Sequence, residues 1–420
     1  MASTRRSWRR GRSDVAGMRR ACDFMRFARC SVGADYAPMP CVRRTVDLRA
    51  PPSRPRIDRL TAPPGRVRYE GCPLRQAALM HESTATRIVL AARPQGAPTP
   101  ADFRVETFQV PAPRNGQVLL RNRWLSLDPY MRGRMNAGRS YAAPVGIGEV
   151  MDGGTVSEVV QSLHPAWSPG DLVLAHAGWQ THAVVDGESL RRKLDPAGLP
   201  VQTALGVHGM PGFTAYAGLH EIGKPQHGET LVVAAASGPV GATVGQIAKL
   251  HGARVVGIAG GPEKVAHVRD DLGFDVALDH RADDFAEQLA AACPDGIDVY
   301  FENVGGKVFD AVLPLLNDFA RVPVCGLVAH YNDTAPPPGP DRVPHLMSWI
   351  LTRHLTVRGF IQRDFIALYP EFVREMGQWL RDGRMRYRED VVEGLEHAPE
   401  AFIGMLAGKN FGKLLVKLDG

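Results

Sequence analysis

No window of the 420-residue chain approaches eighteen consecutive apolar residues, which excludes a transmembrane helix of ordinary length. Cysteine is scarce: of six residues, Cys22, Cys30, Cys41 and Cys72 fall in the first 79 positions, and only Cys293 and Cys325 follow. Two isolated thiols make neither a disulfide framework nor a four-thiolate zinc site. They suit a reducing compartment, so the expected location is the cytoplasm. Residues 80–420 also lack the Cys/His/Glu cluster that a catalytic zinc needs, and no G-x-S-x-G elbow supports a serine hydrolase. Residues 1–79 contain no lysine at all.

What is present divides in two. Residues 1–79 hold eighteen Arg against five Asp and one Glu, a charge of +12, so the net +6 of the whole leaves −6 for the rest. Arginine doublets (Arg5-Arg6, Arg9-Arg10, Arg19-Arg20, Arg43-Arg44) alternate with Pro, Ala and Gly without helical or strand period, and this segment is expected to be a disordered extension. Three readings fit it: a start assigned too early, with Met80 the first residue; an arginine-rich targeting leader; or a nucleic-acid-binding arm. Arginine without lysine speaks for compositional bias, so nucleic acid is not the expected partner.

From Met80 the pattern changes. Thr86–Ala92 and Gly116–Leu127 are strand-like runs, and short strands punctuated by Gly and Pro continue to about Gly206, the grammar of an irregular β-barrel. From Thr230, strands alternate with helices. The expected strands are 231–235, 254–259, 276–279, 297–301, 321–325 and 355–360, with helices over 240–250 and 264–272. Six strands with crossover helices predict an α/β fold with a doubly wound parallel sheet.

The segment 231–246 places Gly238, Gly241 and Gly245 where a buried strand turns into a helix. Small residues there let a pyrophosphate approach backbone N–H groups at the positive end of the helix. Ala236 replaces the usual first glycine, and Pro239 has no N–H to give. The second strand ends at Gly260-Gly261 with no acid for a ribose hydroxyl. Lys264 follows, and His280 and Arg281 come after the third strand, a set that suits a 2′-phosphate and therefore NADP(H) over NAD. Lys264 also fits as a plain surface lysine.

Five segments in order, Leu125–Met135, Gly209–Gly218, Ala235–Gly241, Tyr300–Gly306 and Gly408–Lys413, resemble the zinc-independent medium-chain dehydrogenases/reductases. More narrowly they are similar to the NADPH-dependent branch that includes leukotriene B4 dehydrogenase (prostaglandin reductase), plant alkenal reductases and curcumin reductase. The resemblance implies a GroES-like catalytic domain over residues 80–208, a Rossmann domain over 209–383, and a return to the catalytic domain over 384–420. It further implies a homodimer and reduction of the C=C bond of an α,β-unsaturated aldehyde or ketone.

Carried over residue by residue, Thr214 touches the nicotinamide end, Ser237, Gly238, Val240 and Gly241 form the pyrophosphate turn, and Lys264 meets the 2′-phosphate. Gly261 and His280 stand where the family often has Ser and Tyr. Asn303 and Asn410 lie along the nicotinamide ribose, and the segment from Cys325 to Asn332 supplies Tyr331. As the catalytic candidate, Tyr331 would donate to the substrate carbonyl or relay a proton to the α-carbon, a neutral phenol being able to face an enolate; a packed loop tyrosine is the other reading. Tyr130 and Arg132 would line the substrate cleft, or Arg132 would pair with Asp128 in a turn. Trp124, Met131, Trp179, Met210 and Phe213 would suit an apolar enone or fill the core. Met347–Leu351, with Trp349, would form a lid or a dimer seam. A quinone oxidoreductase is the near alternative, and a non-catalytic nucleotide- or RNA-binding protein the distant one.

Overall fold

The computed structural model describes residues 84–336 and 339–418. The expectations for residues 1–79 and for a start at Met80 lie outside the described residues. So does part of the proline-rich loop at 335–340.

Two large sheets and a separate two-stranded one organise the described residues. The first segment supplies β1 (Thr84–Leu90) and β2 (Phe103–Gln109), an antiparallel pair. It continues with β3 (Gln117–Ser126), the short helix α1 (Tyr130–Arg134), β4 (Thr155–Ser162), β5 (Leu172–Ala175), β6 (His182–Asp186) and β7 (Arg192–Leu194). In β3 buried residues alternate with half-buried ones, the period of a strand with one face on a core. That core gathers Ile88, Leu125, Met131 and Trp179 around a stack of Phe103 on Trp179, with Phe402 edge-on to both. Met131 and Trp179 are thus core residues and not part of a substrate pocket.

The parallel sheet is built from β8 (Thr230–Ala234), β9 (Arg254–Ala259), β10 (Val276–Asp279), β11 (Ile297–Phe301), β12 (Leu316–Val324) and β13 (Thr356–Gly359). Each lies on or within a few residues of its expected place. β12 starts five residues earlier than expected because polar Asn317 is held in the strand by bonds from its Nδ2 to the Asp295 carbonyl (3.0 Å) and Asp298 Oδ1 (2.8 Å). The order β10-β9-β8-β11-β12-β13, all parallel, reverses direction between β8 and β11. β8 is buried along its whole length, as a strand covered on both faces must be.

Helices cover both faces. They are α2 (Met210–Gly218), α3 (Pro239–Leu250), α4 (Pro262–Ala266), α5 (Phe285–Ala292), α6 (Gly306–Val312), α7 (Val343–Thr352) and α8 (Tyr369–Arg381). The chain then enters β14 (Glu389–Glu393), α9 (Ala398–Leu406) and β15 (Lys413–Lys417), and β15 pairs with β3 of the first sheet. The C-terminal strands therefore complete the sheet begun by β3, in the order β14-β15-β3-β4-β5-β7 with β6 on β3. No helix among the described residues is long and apolar enough to cross a membrane.

Candidate active site

Ligands of open α/β sheets bind beyond the carboxyl ends of the strands, where the strand order reverses. Here that point lies between β8 and β11, and one side chain bridges it: Asn303 Nδ2 donates to the Ala234 carbonyl at 2.9 Å. A cleft of about 1730 Å³ opens there, larger than the roughly 300–1,000 Å³ of a single small-ligand pocket and suited to a dinucleotide with its substrate.

The turn after β8 is tight. Ala235 adopts a left-handed backbone (φ +52°) that residues with a Cβ rarely take, and Ala236, fully buried, donates its N–H to the Ile258 carbonyl at 2.9 Å. A Cβ on Gly241 would lie 2.8 Å from the Ala235 carbonyl carbon and 2.9 Å from the Ala236 Cα, both backbone atoms. The bare Cα is therefore needed for the turn to close. Gly238 caps α3, Pro239 takes the first helical position where its missing N–H costs nothing, and the N–H groups of Val240 and Gly241 are left without intrahelical acceptors. Ser237, Gly238, Val240 and Gly241 all line the cleft.

At one end of the cleft stand Lys264, His280 and Arg281. Lys264 Nζ donates to the Gly408 carbonyl at 2.7 Å. Burial, and then the nearby Arg281 guanidinium, draw its ammonium below the ordinary lysine range. Burial and then the neighbouring cations Lys307 and Arg281 likewise lower the His280 imidazole, whose Nδ1 is buried without a partner. Two like charges brought together beside a polar atom in want of a partner form a place for an anion.

The cleft is lined further by Thr214, Asn303, Cys325, Tyr331, Tyr130 and Asn410. The Thr214 hydroxyl donates to the Met210 carbonyl at 2.8 Å, which leaves its oxygen free to accept. Cys325 Sγ donates to Asn303 Oδ1 at 3.2 Å, and burial pushes the thiol up to about 12, so it is a neutral wall and not a nucleophile. Asn410 Nδ2 is turned to the Gly412 carbonyl at 2.9 Å. Burial also pushes the Tyr331 phenol up to about 12, with a bond from the Leu327 N–H pulling the other way. Burial, reinforced by Asp128 and Asp152, drives the Tyr130 phenol well above its usual value. Both tyrosines remain protonated donors at neutral pH.

Two expectations are corrected. Arg132 is 2% exposed and faces no substrate, because its three nitrogens are taken up by Asn332 Oδ1 (3.1 Å), Asn136 Oδ1 (2.7 Å) and the Gly96 carbonyl (2.8 Å). Nor is it the partner of Asp128. That carboxylate accepts from Ser126 Oγ and from the buried ammonium of Lys413 at 3.1 Å, and Lys413 Nζ also donates to the carbonyls of Leu127 (2.6 Å) and Leu414 (3.0 Å). Lys413 closes the Gly408–Lys413 segment and opens the apolar strand β15; a lysine at the head of such a strand was the available signal for a buried cation. Sequence reasoning also missed Glu302. Its Oε1 gathers Val304 N–H (2.6 Å), Gly305 N–H (2.8 Å) and Tyr300 OH (3.1 Å), shaping the turn that holds Asn303.

Residues 86–192 match a family described as the N-terminal domain of oxidoreductase, and residues 239–378 one described as zinc-binding dehydrogenase. The zinc of that second description has no donor set here, since no group of three or more His, Cys, Asp or Glu among the described residues is placed to hold a metal ion. The chain belongs to the medium-chain dehydrogenases/reductases, in their zinc-independent, NADP-dependent branch, and is an NADP-dependent oxidoreductase. Within that branch it is similar to the NADPH-dependent curcumin reductase of Escherichia coli (strain K12), 60% identical over 80% of this chain and 97% of that protein. Prostaglandin reductase 1 of Oryctolagus cuniculus is 43% identical over 76% and 89%. The crystal structure of CurA from Vibrio vulnificus in complex with NADPH shares the fold with a TM-score of 0.77, at 55% identity over 80% of this chain and 99% of that one.

Proposed function

We propose that this protein reduces the C=C bond of α,β-unsaturated aldehydes and ketones, with Tyr331 as the donor at the carbonyl. The observation that carries the reading is a half-buried phenol, held protonated up to about 12, in the cleft at the reversal of the parallel sheet. The names of the relatives, curcumin reductase and prostaglandin reductase, support the substrate class.

The turn residues Ser237, Gly238, Val240 and Gly241 would hold the NADPH pyrophosphate, and Lys264 with His280 its 2′-phosphate end. Thr214, Asn303, Cys325 and Asn410 would hold the nicotinamide end. The chemistry a bound NADPH supplies is a hydride for the β-carbon of the enone. The π pair then moves onto the carbonyl oxygen, where the Tyr331 hydroxyl hydrogen-bonds the growing negative charge, and a proton reaches the α-carbon through that hydroxyl or from water. Tyr130 lines the same cleft as a second protonated hydroxyl. A homodimer belongs to this reading: β13 is the outer strand of its sheet, all four of its residues are exposed, and α7 exposes Val343, Met347 and Leu351.

NADPH consumption with a 2-alkenal, an enone and a benzoquinone, with the saturated product identified, tests the reaction. Preference for the quinone without saturated product overturns it. Tyr331→Phe is expected to lower kcat about 100-fold, the usual loss for one transition-state donor. A phenol held near 12 stays protonated below that value, so this group causes no alkaline loss of wild-type rate up to about pH 10.

A further inference from the structure

Tyr331 lies on a connection, preceded only by a single 3-10 turn at Val328–His330. A hydroxyl that must meet a carbonyl oxygen within a few tenths of an ångström needs more support than one turn gives. The turn is held on one side, where Val328 N–H donates to the Asn303 carbonyl (3.2 Å), Ala329 N–H to the Val304 carbonyl (3.0 Å) and Gly306 N–H to His330 Nε2 (3.1 Å), and the residue after the tyrosine ties down the other side. Asn332 Oδ1 accepts from Arg132 Nε at 3.1 Å, a bond across 200 positions of sequence that joins the Tyr331 loop to α1.

The remaining two nitrogens of Arg132 reach Asn136 and the Gly96 carbonyl, so three separate segments meet on one guanidinium. None of the three acceptors is a carboxylate. A cation 2% exposed and hydrogen-bonded only to neutral groups has burial working against its charge, with the Asp102 carboxylate as the nearby counter-charge, and an apolar side chain in its place would leave three acceptors without a donor. What an apolar side chain lacks is a rigid planar fork with donors in three fixed directions. Arg132 also lies two residues after Tyr130 on the same short helix, so its bond to Asn332 ties together the elements that carry two of the cleft's phenols, Tyr130 and Tyr331.

We infer that Arg132 is a positioning residue that seats Tyr331, acting through Asn332. The inference rests on the role proposed for Tyr331. Loss of Arg132 itself risks misfolding, since three segments depend on it, so half-buried Asn332 is the residue to change. In the full chain, Asn332→Ala removes the one acceptor that joins α1 to the tyrosine's loop and leaves the other two bonds of Arg132 in place. It is expected to lower kcat for an enone roughly 10- to 50-fold, the scale of a displacement approaching 1 Å at a reacting group. NADPH affinity should stay within error of wild type, and the melting temperature should fall by only a few degrees, the cost of one buried donor left without its acceptor.

Asn332→Asp keeps an acceptor oxygen at the same reach and should recover the rate to within about threefold. The double variant Tyr331→Phe/Asn332→Ala should be no slower than Tyr331→Phe alone, because two residues acting through one hydroxyl do not add. Wild-type kcat in Asn332→Ala, or multiplicative losses in the double variant, overturns the inference while leaving a slow Tyr331→Phe, and hence the proposed function, intact. A Tyr331→Phe enzyme at wild-type rate removes the role of the tyrosine and the inference with it.

Discussion

The two ends of the cleft are made in different ways. The pyrophosphate turn is contiguous: Ala235 to Gly241 carry its close approach, its left-handed residue and its helix start within seven positions. The carbonyl end is assembled. Asp128 meets Lys413 across 285 positions and Arg132 meets Asn332 across 200, while Asn303 reaches back to Ala234. A contiguous site can fail locally. An assembled site shares its bonds with the fold, so damage there should reach stability as well as chemistry.

The widest separation between the two ends is expected from Lys413→Met. The side-chain volume survives, but the Asp128 carboxylate is left 4% exposed with Ser126 and no cation, and the Leu127 carbonyl loses the lysine while that of Leu414 keeps only the Leu127 N–H. Breaking one partner of a buried pair costs about 3–5 kcal/mol, readable as a fall in the denaturant midpoint at constant slope. A loss under about 1 kcal/mol would show that the carbonyl end is not welded to the fold in this way.

The contiguous end should break the other way. Gly241→Ala puts a methyl against backbone atoms 2.8 and 2.9 Å away that no side-chain rotation can clear. The turn must open, and NADPH affinity is expected to fall about 100-fold, or roughly 2.7 kcal/mol. Gly238→Ala is the matched control: its Cβ would meet only the Ala235 oxygen, at 3.3 Å, so a loss of about tenfold or less is expected by fluorescence titration. Equal losses in the two variants would remove the distinction between a close approach and general glycine richness.

The same contrast explains what the sequence reveals. Buried β8, the glycine spacing after it and the alternation of strand and helix all act within a window of a dozen residues, so the parallel sheet and the turn can be read from periodicity and small-residue spacing. Tyr130, Tyr331, Asn303, Cys325 and Asn410 become visible through family resemblance, and the structure places all five on one cleft. Arg132 and Asp128 were misread for a physical reason: a short-range turn pairing is the natural inference for opposite charges four residues apart, and nothing local announces that Lys413 or Asn332 arrives from the far end of the chain. Lys413 is buried where β15 pairs with β3; its place at the head of an apolar strand points to a buried cation but does not name Asp128 as its partner.

The sharpest effect in selectivity, smaller than that of Gly241→Ala, belongs to Lys264. Its ammonium lies beside Arg281 with a backbone carbonyl as its hydrogen-bond partner, so it keeps charge to offer a 2′-phosphate, at the cost of repulsion that a bound dianion would relieve. Lys264→Ala should therefore weaken NADPH by about 10- to 30-fold, the worth of one charge-assisted bond, while NADH, which has no group there, changes less than about twofold. Arg281 remains, so some preference for NADPH should survive and should shrink with added salt as exposed charges are screened. Parallel titrations of both coenzymes at two ionic strengths read all three terms. Equal weakening of NADPH and NADH would mean that the bond to Gly408 matters for the shape of the cleft and that the phosphate is held elsewhere.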